Sequence, residues 1–295
     1  MKLAYQILDV FTNQRLSGNP LAVVLKADNL SDSQMQAIAR EFNLSETVFV
    51  KQPQFDRHAA NVRIFTPDQE LPFAGHPTIG AAAVVSATNR SSAIRLEEKI
   101  GTITCLIERP SRSVTHVRFG LPELPERIAD LPDTDAIAAS LGIAPEDIGC
   151  GAYRPCVFGA GTVMHLVPVR NASVLKRLKL DSRGWEDIYV FGRGNIYVFT
   201  ETPEEQGNDL AARMFAPGIS FTEDPATGSA AAALIGLLAE QMGEGTHDLK
   251  LRQGVEMQRA SLIELQFTSA DGAVTRASIG GSAVNVAEGT LDLFG

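Results

Sequence analysis

The sequence predicts an α+β fold of two pseudo-symmetric halves, each a β-barrel-like sheet wrapped around a central helix. The first observation is a repeat: residues 63–67 (RIFTP) return as residues 213–217 (RMFAP), 150 positions later in a chain of 295. The second is that a Pro-x-x-Gly turn and a helix of small apolar residues follow each copy. The third is that most remaining segments alternate in hydrophobicity or are β-branched, as strands are.

The two predicted central helices share their composition. Their turns occupy residues 72–75 and 225–228, and the helices continue as TIGAAAVV from residue 78 and SAAAALIGLL from residue 229. Apolar residues cover nearly every face of both segments, so each helix is expected to be enclosed on all sides. The Ala and Gly residues would let surrounding strands approach closely.

The rest of the first half is predicted to be mostly strands. Alternation and β-branched residues place them at residues 4–10, 21–25, 47–51, 61–65, 94–97, 100–107 and 114–119. A further helix is predicted at residues 33–42, with Ser31 or Asp32 capping its start.

The second half repeats this mixture. Helices are predicted near residues 133–141 and 172–178. Strands are predicted at residues 162–169, 188–200, 248–253, 261–268 and 273–280. The boundary between the halves is expected at residues 121–126 (LPELPE), a proline-bearing polar stretch typical of a linker.

Composition excludes several classes of protein. With 26 Lys and Arg against 35 Asp and Glu, the formal charge of −9 disfavours a nucleic-acid partner, because it repels phosphate backbones. The longest apolar runs, near residues 79–85 and 230–239, are shorter than the roughly 20 residues that a membrane span needs. Asp9 interrupts what would be the apolar core of a signal peptide. No membrane association is expected.

Cysteine usage indicates a reducing compartment. The three cysteines are odd in number and show neither paired C-x-x-C spacing nor a histidine pattern for zinc: Cys105, Cys150 and Cys156. We therefore expect a cytoplasmic protein without a structural metal. The sequence also has no G-x-G-x-x-G after a strand, no Walker loop, no G-x-S-x-G elbow and no H-E-x-x-H, so the usual nucleotide, hydrolase and zinc-protease motifs are missing.

The starts of the two central helices are candidate anion sites. The first backbone N–H groups of a helix have no internal partner, and the helix dipole places partial positive charge there. Gly75 and His76 hold the first start; Gly228 and Ser229 hold the second, with Asp224 just upstream. If a twofold axis relates the halves, both starts can face one interdomain cleft and bind a carboxylate. The alternative is that each turn is only a structural cap.

A second candidate is Glu46, within residues 43–50 (NLSETVFV). An acid at the mouth of an apolar strand can have its pKa raised toward neutrality by burial, which a general acid/base requires. The alternative is an ordinary solvated residue at the edge of a strand.

These segments carry a resemblance to a known family. The chain resembles the PhzF-like family of phenazine-biosynthesis isomerases over essentially its whole length. The matching segments are GNPLAVV at 18–24, NLSETVFV at 43–50, RIFTPDQELPFAGHPTIGAA at 63–82, EDPATGSAAAAL at 223–234 and GGSAVNVAEGTL at 280–291. Their combination, in this order, is far more specific than any one of them.

The resemblance implies the diaminopimelate-epimerase-like fold, with the active site between two similar domains. It also implies that the final strand returns to the first domain, so that the domains are residues 1–122, completed by 281–295, and residues 123–280. The family's best-known member is a cofactor-independent isomerase of trans-2,3-dihydro-3-hydroxyanthranilate, and members are commonly homodimers. No cofactor is expected.

The resemblance also implies roles for individual residues. Glu46 would be the general acid/base that removes a proton from one carbon and returns it to another. His76 and Asp224 would orient and polarise the substrate. Four further residues would line the site and offer hydrogen bonds: Ser45, Gly75, Gly228 and Ser229. Relatives that racemise amino acids use a cysteine at each helix start, and this chain has none there, which disfavours two-thiol chemistry.

The sequence thus predicts a cytoplasmic, cofactor-independent, homodimeric isomerase that moves a proton on a small carboxylate-bearing substrate. Two alternatives stay open. An epimerase, racemase or dehydratase of an amino-acid-like compound would need a second acid/base opposite Glu46. A protein that kept the fold but lost the chemistry would bind a small molecule without turnover.

Overall fold

The computed structural model of the protein describes residues 2–87, 91–202, 207–216 and 223–293. Pro217, the last residue of the second repeat copy, lies outside these ranges. Contacts divide the chain into two compact units: unit 1 is Met1–Pro122 with Gly280–Gly295, and unit 2 is Glu123–Ile279. Within the described ranges, no helix combines the length and apolar character needed to cross a membrane.

The elements follow one another in chain order. Unit 1 holds β1 (Lys2–Val10), β2 (Asn19–Val24), α1 (Asp32–Phe42), β3 (Glu46–Lys51), β4 (Ala60–Phe65), β5 (Glu70–Leu71), α2 (Gly75–Ala87), β6 (Ala93–Glu98), β7 (Gly101–Glu108) and β8 (Val114–Gly120). Unit 2 holds β9 (Glu126–Asp130), α3 (Thr134–Leu141), β10 (Cys156–Gly159), β11 (Val163–Pro168), α4 (Ala172–Lys176), α5 (Trp185–Ile188), β12 (Ile196–Glu201), β13 (Leu210–Phe215), β14 (Glu223–Asp224), α6 (Gly228–Met242), β15 (Gly245–Gln253) and β16 (Ser261–Ala270). The last strand, β17 (Ala273–Asp292), begins in unit 2 and ends in unit 1.

Eight strands of unit 1 close into a barrel. The order around the ring is β17–β1–β2–β3–β4–β6–β7–β8, and β8 pairs with β17 to close it. The β2–β3 and β4–β6 pairs are parallel, while β5 adds to β4 outside the ring. Because every barrel strand has two neighbours, the backbone hydrogen bonds of the sheet are satisfied without an exposed edge.

Helix α2 lies inside this barrel, as the apolar composition predicted. It contacts β1 to β4 and β6 to β8, and its residues are buried from Gly75 through Val84. Gly80 shows how closely a strand approaches, since a Cβ placed there would lie 2.3 Å from the side chain of Leu21. The expected α+β fold with a wrapped central helix is confirmed.

Unit 2 repeats the pairing scheme of unit 1. In unit 1 the successive pairs of β1, β2, β3, β4, β6 and β7 alternate between antiparallel and parallel, beginning with an antiparallel pair. The successive pairs of β10, β11, β12, β13, β15 and β16 in unit 2 alternate in the same way. Strand β14 adds to β13 as β5 adds to β4. Helix α6 takes the place of α2 and contacts β9, β10, β11 and β16. The duplication is therefore present in the topology.

The arginine of the repeated signature makes the same contacts in both units. Arg63 Nε donates to Glu70 at 2.7 Å, and Arg213 Nε donates to Glu223 at 2.8 Å. Each guanidinium also lies over the phenylalanine two residues later, 5.2 and 4.9 Å from the ring centroid. In both units the arginine thus links the strand that carries the signature, β4 or β13, to the short outer strand, β5 or β14.

One predicted strand is wrong in its first half. Residues 188–200 were expected to be one strand, but Ile188 ends α5 and the strand begins at Ile196. Gly192 and Gly194 between them have positive φ values of 58° and 70°, which interrupt an extended chain. Trp185 anchors α5 in the core of unit 2 at 4% exposure.

Candidate functional site

Unit 1 brings Glu46 and His76 together. Glu46 is the first residue of β3, and His76 is the second residue of α2. Their Oε2 and Nε2 atoms are 3.4 Å apart, with the carboxylate side chain 16% exposed and the imidazole 5% exposed. Ser45 and Gly75 adjoin them in the chain, so four of the predicted site residues lie at this place.

His76 is an uncharged imidazole in this environment. Burial lowers the pKa of His76 to about 3, because desolvation penalises the charged ring. A neutral ring donates from one nitrogen and accepts at the other, so it can polarise a bound group without carrying an extra proton. The carboxyl of Glu46 is therefore the better suited of the two to carry a proton to and from carbon.

The start of α2 adds backbone donors beside these side chains. Thr78 N donates to Ala74 O, the acceptor just before the helix begins. The amides of Gly75 and His76 precede this first helical hydrogen bond and belong to the groups that a helix cannot satisfy by itself. They favour an anion such as a substrate carboxylate.

A second carboxyl group, Glu98, lies under the same helical turn. Thr78 Oγ1 is 2.7 Å from Glu98 Oε1 and 2.8 Å from Ala74 O. One hydroxyl has one hydrogen, so both contacts are satisfied when a protonated Glu98 donates to Thr78 Oγ1 and Thr78 donates to Ala74 O. Burial agrees with this, since it raises the pKa of Glu98 to about 8. Glu98 is therefore protonated at neutral pH.

Unit 2 surrounds Asp224 with a polar network. Thr227 Oγ1 donates to Asp224 Oδ2, and Gln253 Nε2 donates to Asp224 O at 2.7 Å and to Thr227 Oγ1 at 3.0 Å. Gln253 Oε1 accepts from Thr227 N at 3.2 Å and from Tyr197 OH at 2.8 Å. Burial and the charge of Asp224 raise the pKa of Tyr197 well above its usual value, so the phenol remains a donor. Gly228 begins α6 directly after this network.

The predicted residues of unit 2 thus gather at one helix start. Asp224, Gly228 and Ser229 flank the first turn of α6, with Gly228 buried and the other two half-buried. The network around Asp224 orients its carboxylate, and the first amides of α6 belong to the groups that a helix cannot satisfy by itself.

Sequence reasoning missed Glu98 and the partners of Asp224. The strand register shows that Glu98 and Gln253 occupy equivalent positions. In unit 1 the residue before Glu98, Glu97, pairs with Asn61. In unit 2 the residue before Gln253, Arg252, pairs with Ala211, which is the repeat equivalent of Asn61. The side chains of Glu98 and Gln253 both reach the first turn of their central helix. No local motif marks them, since they lie 20 or more residues from that turn and the repeat offset changes between the strands.

Metal-ligand clusters are absent from the described part of the chain, where no group of three or more His, Cys, Asp or Glu residues is arranged to hold an ion. The three cysteines are free and buried, and none of them is a residue of the first turn of α2 or α6. Neither helix start therefore carries a thiol.

Comparison with known proteins gives consistent matches along the chain. The sequence profile described as phenazine biosynthesis-like protein matches residues 8–289. An uncharacterized isomerase of Mesorhizobium japonicum is 42% identical over 296 residues, covering 97% of this chain and 98% of that protein. The trans-2,3-dihydro-3-hydroxyanthranilate isomerase of Pseudomonas chlororaphis is 35% identical over 290 residues, covering 98% of this chain and 99% of that enzyme.

A solved structure agrees with these matches at the level of the fold. The crystal structure of the Bacillus anthracis phenazine biosynthesis protein of the PhzF family has a TM-score of 0.88 to this chain at 23% identity, and the match covers 99% of this chain and 100% of that one. The similarity extends over both units, including each helix start. The chain belongs to the family of phenazine biosynthesis-like proteins, the PhzF family.

Proposed function

We propose that the protein is an isomerase that moves a proton on a small carboxylate-bearing substrate, with Glu46 as the general acid/base. The observation that carries this proposal is the approach of the Glu46 carboxylate to neutral His76 at the start of α2. A half-buried carboxylate can take a proton from carbon, hold it away from bulk water, and return it to another carbon of the same face.

The other site residues bind and orient. His76 polarises a substrate group from its neutral ring, and the amides at the starts of α2 and α6, with Gly75 and Gly228, bind carboxylate oxygens. Asp224 orients an amine or hydroxyl group, while Ser45 and Ser229 offer hydroxyl hydrogen bonds. The named relatives favour trans-2,3-dihydro-3-hydroxyanthranilate as the first substrate to test.

The direct test is solvent deuterium incorporation into trans-2,3-dihydro-3-hydroxyanthranilate in D2O, followed by NMR. The wild-type protein should isomerise the compound and label one carbon. Glu46→Gln should lower the rate by about 10²-fold or more, because it removes the group that carries the proton. Glu41→Gln, an exposed substitution on α1, is the matched control and should leave the rate unchanged.

The outcomes separate the alternatives. Exchange that survives Glu46→Gln would move the acid/base role to another group. Exchange at the α-carbon of an amino acid would favour an epimerase, which needs a second acid/base. Binding without exchange on a panel of cyclic dienoic acids and amino acids would favour a catalytically silent binding protein.

We further propose that the protein works without a cofactor, as a homodimer, in the cytoplasm. Cofactor independence requires that the rate survive exhaustive dialysis against a chelator. Multi-angle light scattering should give twice the mass of the chain. Fractionation of the source cells should place the protein with cytoplasmic markers.

A further inference from the structure

The strand register identifies the counterpart of Glu46 in unit 2. Glu46 precedes Thr47, which pairs with the phenylalanine of the RIFTP signature. Asn195 precedes Ile196, which pairs with the phenylalanine of the RMFAP signature. The two signatures occupy equivalent strands, so Asn195 in unit 2 holds the position that Glu46 holds in unit 1.

The alternation of side chains along β12 shows which way Asn195 faces. Ile196 and Val198 belong to the core cluster on the outer, helix-covered side of this sheet, which includes residues of α3, α4 and α5. Tyr197 faces the opposite side, where its hydroxyl reaches Gln253 at the start of α6. Side chains two residues apart share a face of a strand, so Asn195 lies on the side of α6.

The backbone of Asn195 is held in place by a buried histidine. His165 N and His165 Nδ1 both donate to Asn195 O, at 3.0 and 2.9 Å, and Phe191 N donates to His165 Nε2 at 3.3 Å. The two ring nitrogens of one imidazole thus form hydrogen bonds with both ends of the glycine-containing loop before β12, Phe191 and Asn195. Burial lowers the pKa of His165, so the ring stays neutral and keeps this pair of donor and acceptor roles.

The side chain of Asn195 is buried without satisfying its acceptor. The residue is 6% exposed, and its Oδ1 atom has no hydrogen-bond partner among the residues that the structure describes. A buried amide oxygen that stays unpaired costs free energy, and its retention in a folded protein calls for a reason such as a functional partner. A leucine, whose side chain has the same branching, would avoid this cost if packing were the only requirement.

We propose that Asn195 is a substrate-binding residue whose side-chain oxygen accepts a hydrogen bond from an amine or hydroxyl group of the substrate. This assignment rests on the proposed function. It adds that the substrate must carry a hydrogen-bond donor group beside its carboxylate. At the register position where unit 1 has an acid, unit 2 has an amide, which recognises a donor but transfers no proton.

The test compares two stable ligands that differ in donors. 3-Hydroxyanthranilate carries an amine, a hydroxyl and a carboxylate, and 2,3-dimethylbenzoate has methyl groups of similar size in place of both donors. Calorimetric titrations are made with the wild-type protein, with Asn195→Leu and with the exposed control Asn29→Ala. Asn195→Leu should bind 3-hydroxyanthranilate about tenfold more weakly and 2,3-dimethylbenzoate equally well, because one hydrogen bond to a buried group is lost.

A stability measurement separates binding from folding. Asn195→Leu should keep or raise the melting temperature of the ligand-free protein, because it removes an unsatisfied buried polar atom. A lower melting temperature with equal losses for both ligands would indicate a structural residue and overturn the proposal. So would unchanged affinity for 3-hydroxyanthranilate, or a wild-type protein that binds neither compound.

Failure of the proposed function is distinguishable from failure of this assignment. Glu46→Gln tests proton transfer, whereas Asn195→Leu should raise KM and leave kcat nearly unchanged. A wild-type protein without deuterium exchange but with the expected difference between the ligands would reject the isomerase and retain Asn195 as a ligand-binding residue.

Discussion

At the scale of single residues, burial decides the charge of the groups at the start of α2. His76 and Glu98 are ionisable residues in the sequence, yet burial holds both neutral at pH 7 by lowering one pKa to about 3 and raising the other to about 8. The Glu46 carboxyl lies 3.4 Å from this neutral imidazole. The sequence motif identified Glu46 and His76, but it could not give the protonation state of His76, because desolvation depends on residues packed from distant strands.

A first prediction concerns the pH dependence of stability through Glu98. The folded state keeps the Glu98 proton up to a pKa of about 8, whereas the unfolded chain loses it near the ordinary value of 4.5. The folded state then binds more protons between these values, so stability falls as pH rises from about 4.5 to about 8 and levels off above. Glu98→Gln, the amide found at the equivalent Gln253, should remove this loss.

Urea unfolding at pH 4.5 and pH 8 measures the effect. Between these two conditions the stability of Glu98→Gln relative to the wild type should improve by up to about 4 kcal/mol. The exposed control Glu108→Gln should show no such trend. Parallel pH profiles for Glu98→Gln and the wild type would mean that Glu98 is ionised in the folded protein at pH 8.

At the scale of elements, local sequence determined where several helices begin. The structure selects Ser31 as the cap of α1: its side chain accepts from Gln34 N at 3.3 Å, and Gln34 Oε1 accepts from Ser31 N at 2.9 Å. This reciprocal capping box is readable from the sequence because its partners are three residues apart. The strand expected at residues 188–200 was misplaced, because apolar residues before the glycines pack as α5 against the core.

The close packing of α6 gives a prediction at this scale. A Cβ at Gly236 would lie 2.5 Å from the ring of Phe158 and 3.0 Å from Pro125. Gly236→Ala should therefore destabilise the protein by about 1–2 kcal/mol, because overpacking outweighs the gain in helix propensity. The control Ala37→Gly, at an exposed position of α1, should cost about 1 kcal/mol from propensity alone.

Thermal or urea unfolding gives both values. The double variant Gly236→Ala with Phe158→Leu should recover part of the loss, since the shorter side chain makes room for the added methyl group. A Gly236→Ala variant as stable as the wild type would show that Phe158 moves aside freely.

At the scale of the whole molecule, strand β17 completes the barrel of unit 1. It pairs with β1 from Lys2 opposite Asp292 to Val10 opposite Ala283, and β8 pairs with it from the other side. Residues nearly 300 positions apart therefore share one sheet, and no local pattern in the sequence indicates this pairing. The pairing makes unit 1 depend on the end of the chain.

Deletion of residues 281–295 tests this dependence. The deletion opens the barrel at both neighbours of β17 and exposes α2, so unit 1 should unfold. Circular dichroism should show a large loss of structure, and deuterium exchange should be lost. Deletion of residues 294–295 alone is the control and should change neither signal. A folded, active protein lacking residues 281–295 would show that the ring does not need its closing strand.

The sequence by itself determined the duplication, the two enclosed helices and the motifs that hold Glu46, His76 and Asp224, because repeats, periodicity and caps are local properties. The tertiary structure decided which residues meet at the helix starts. Glu98 and Gln253 arrive there through strand register, and their hydrogen bonding and the protonation of Glu98 follow from burial by neighbours far away in the chain. Register and burial are set by the whole fold, so they become visible only once the strands are paired.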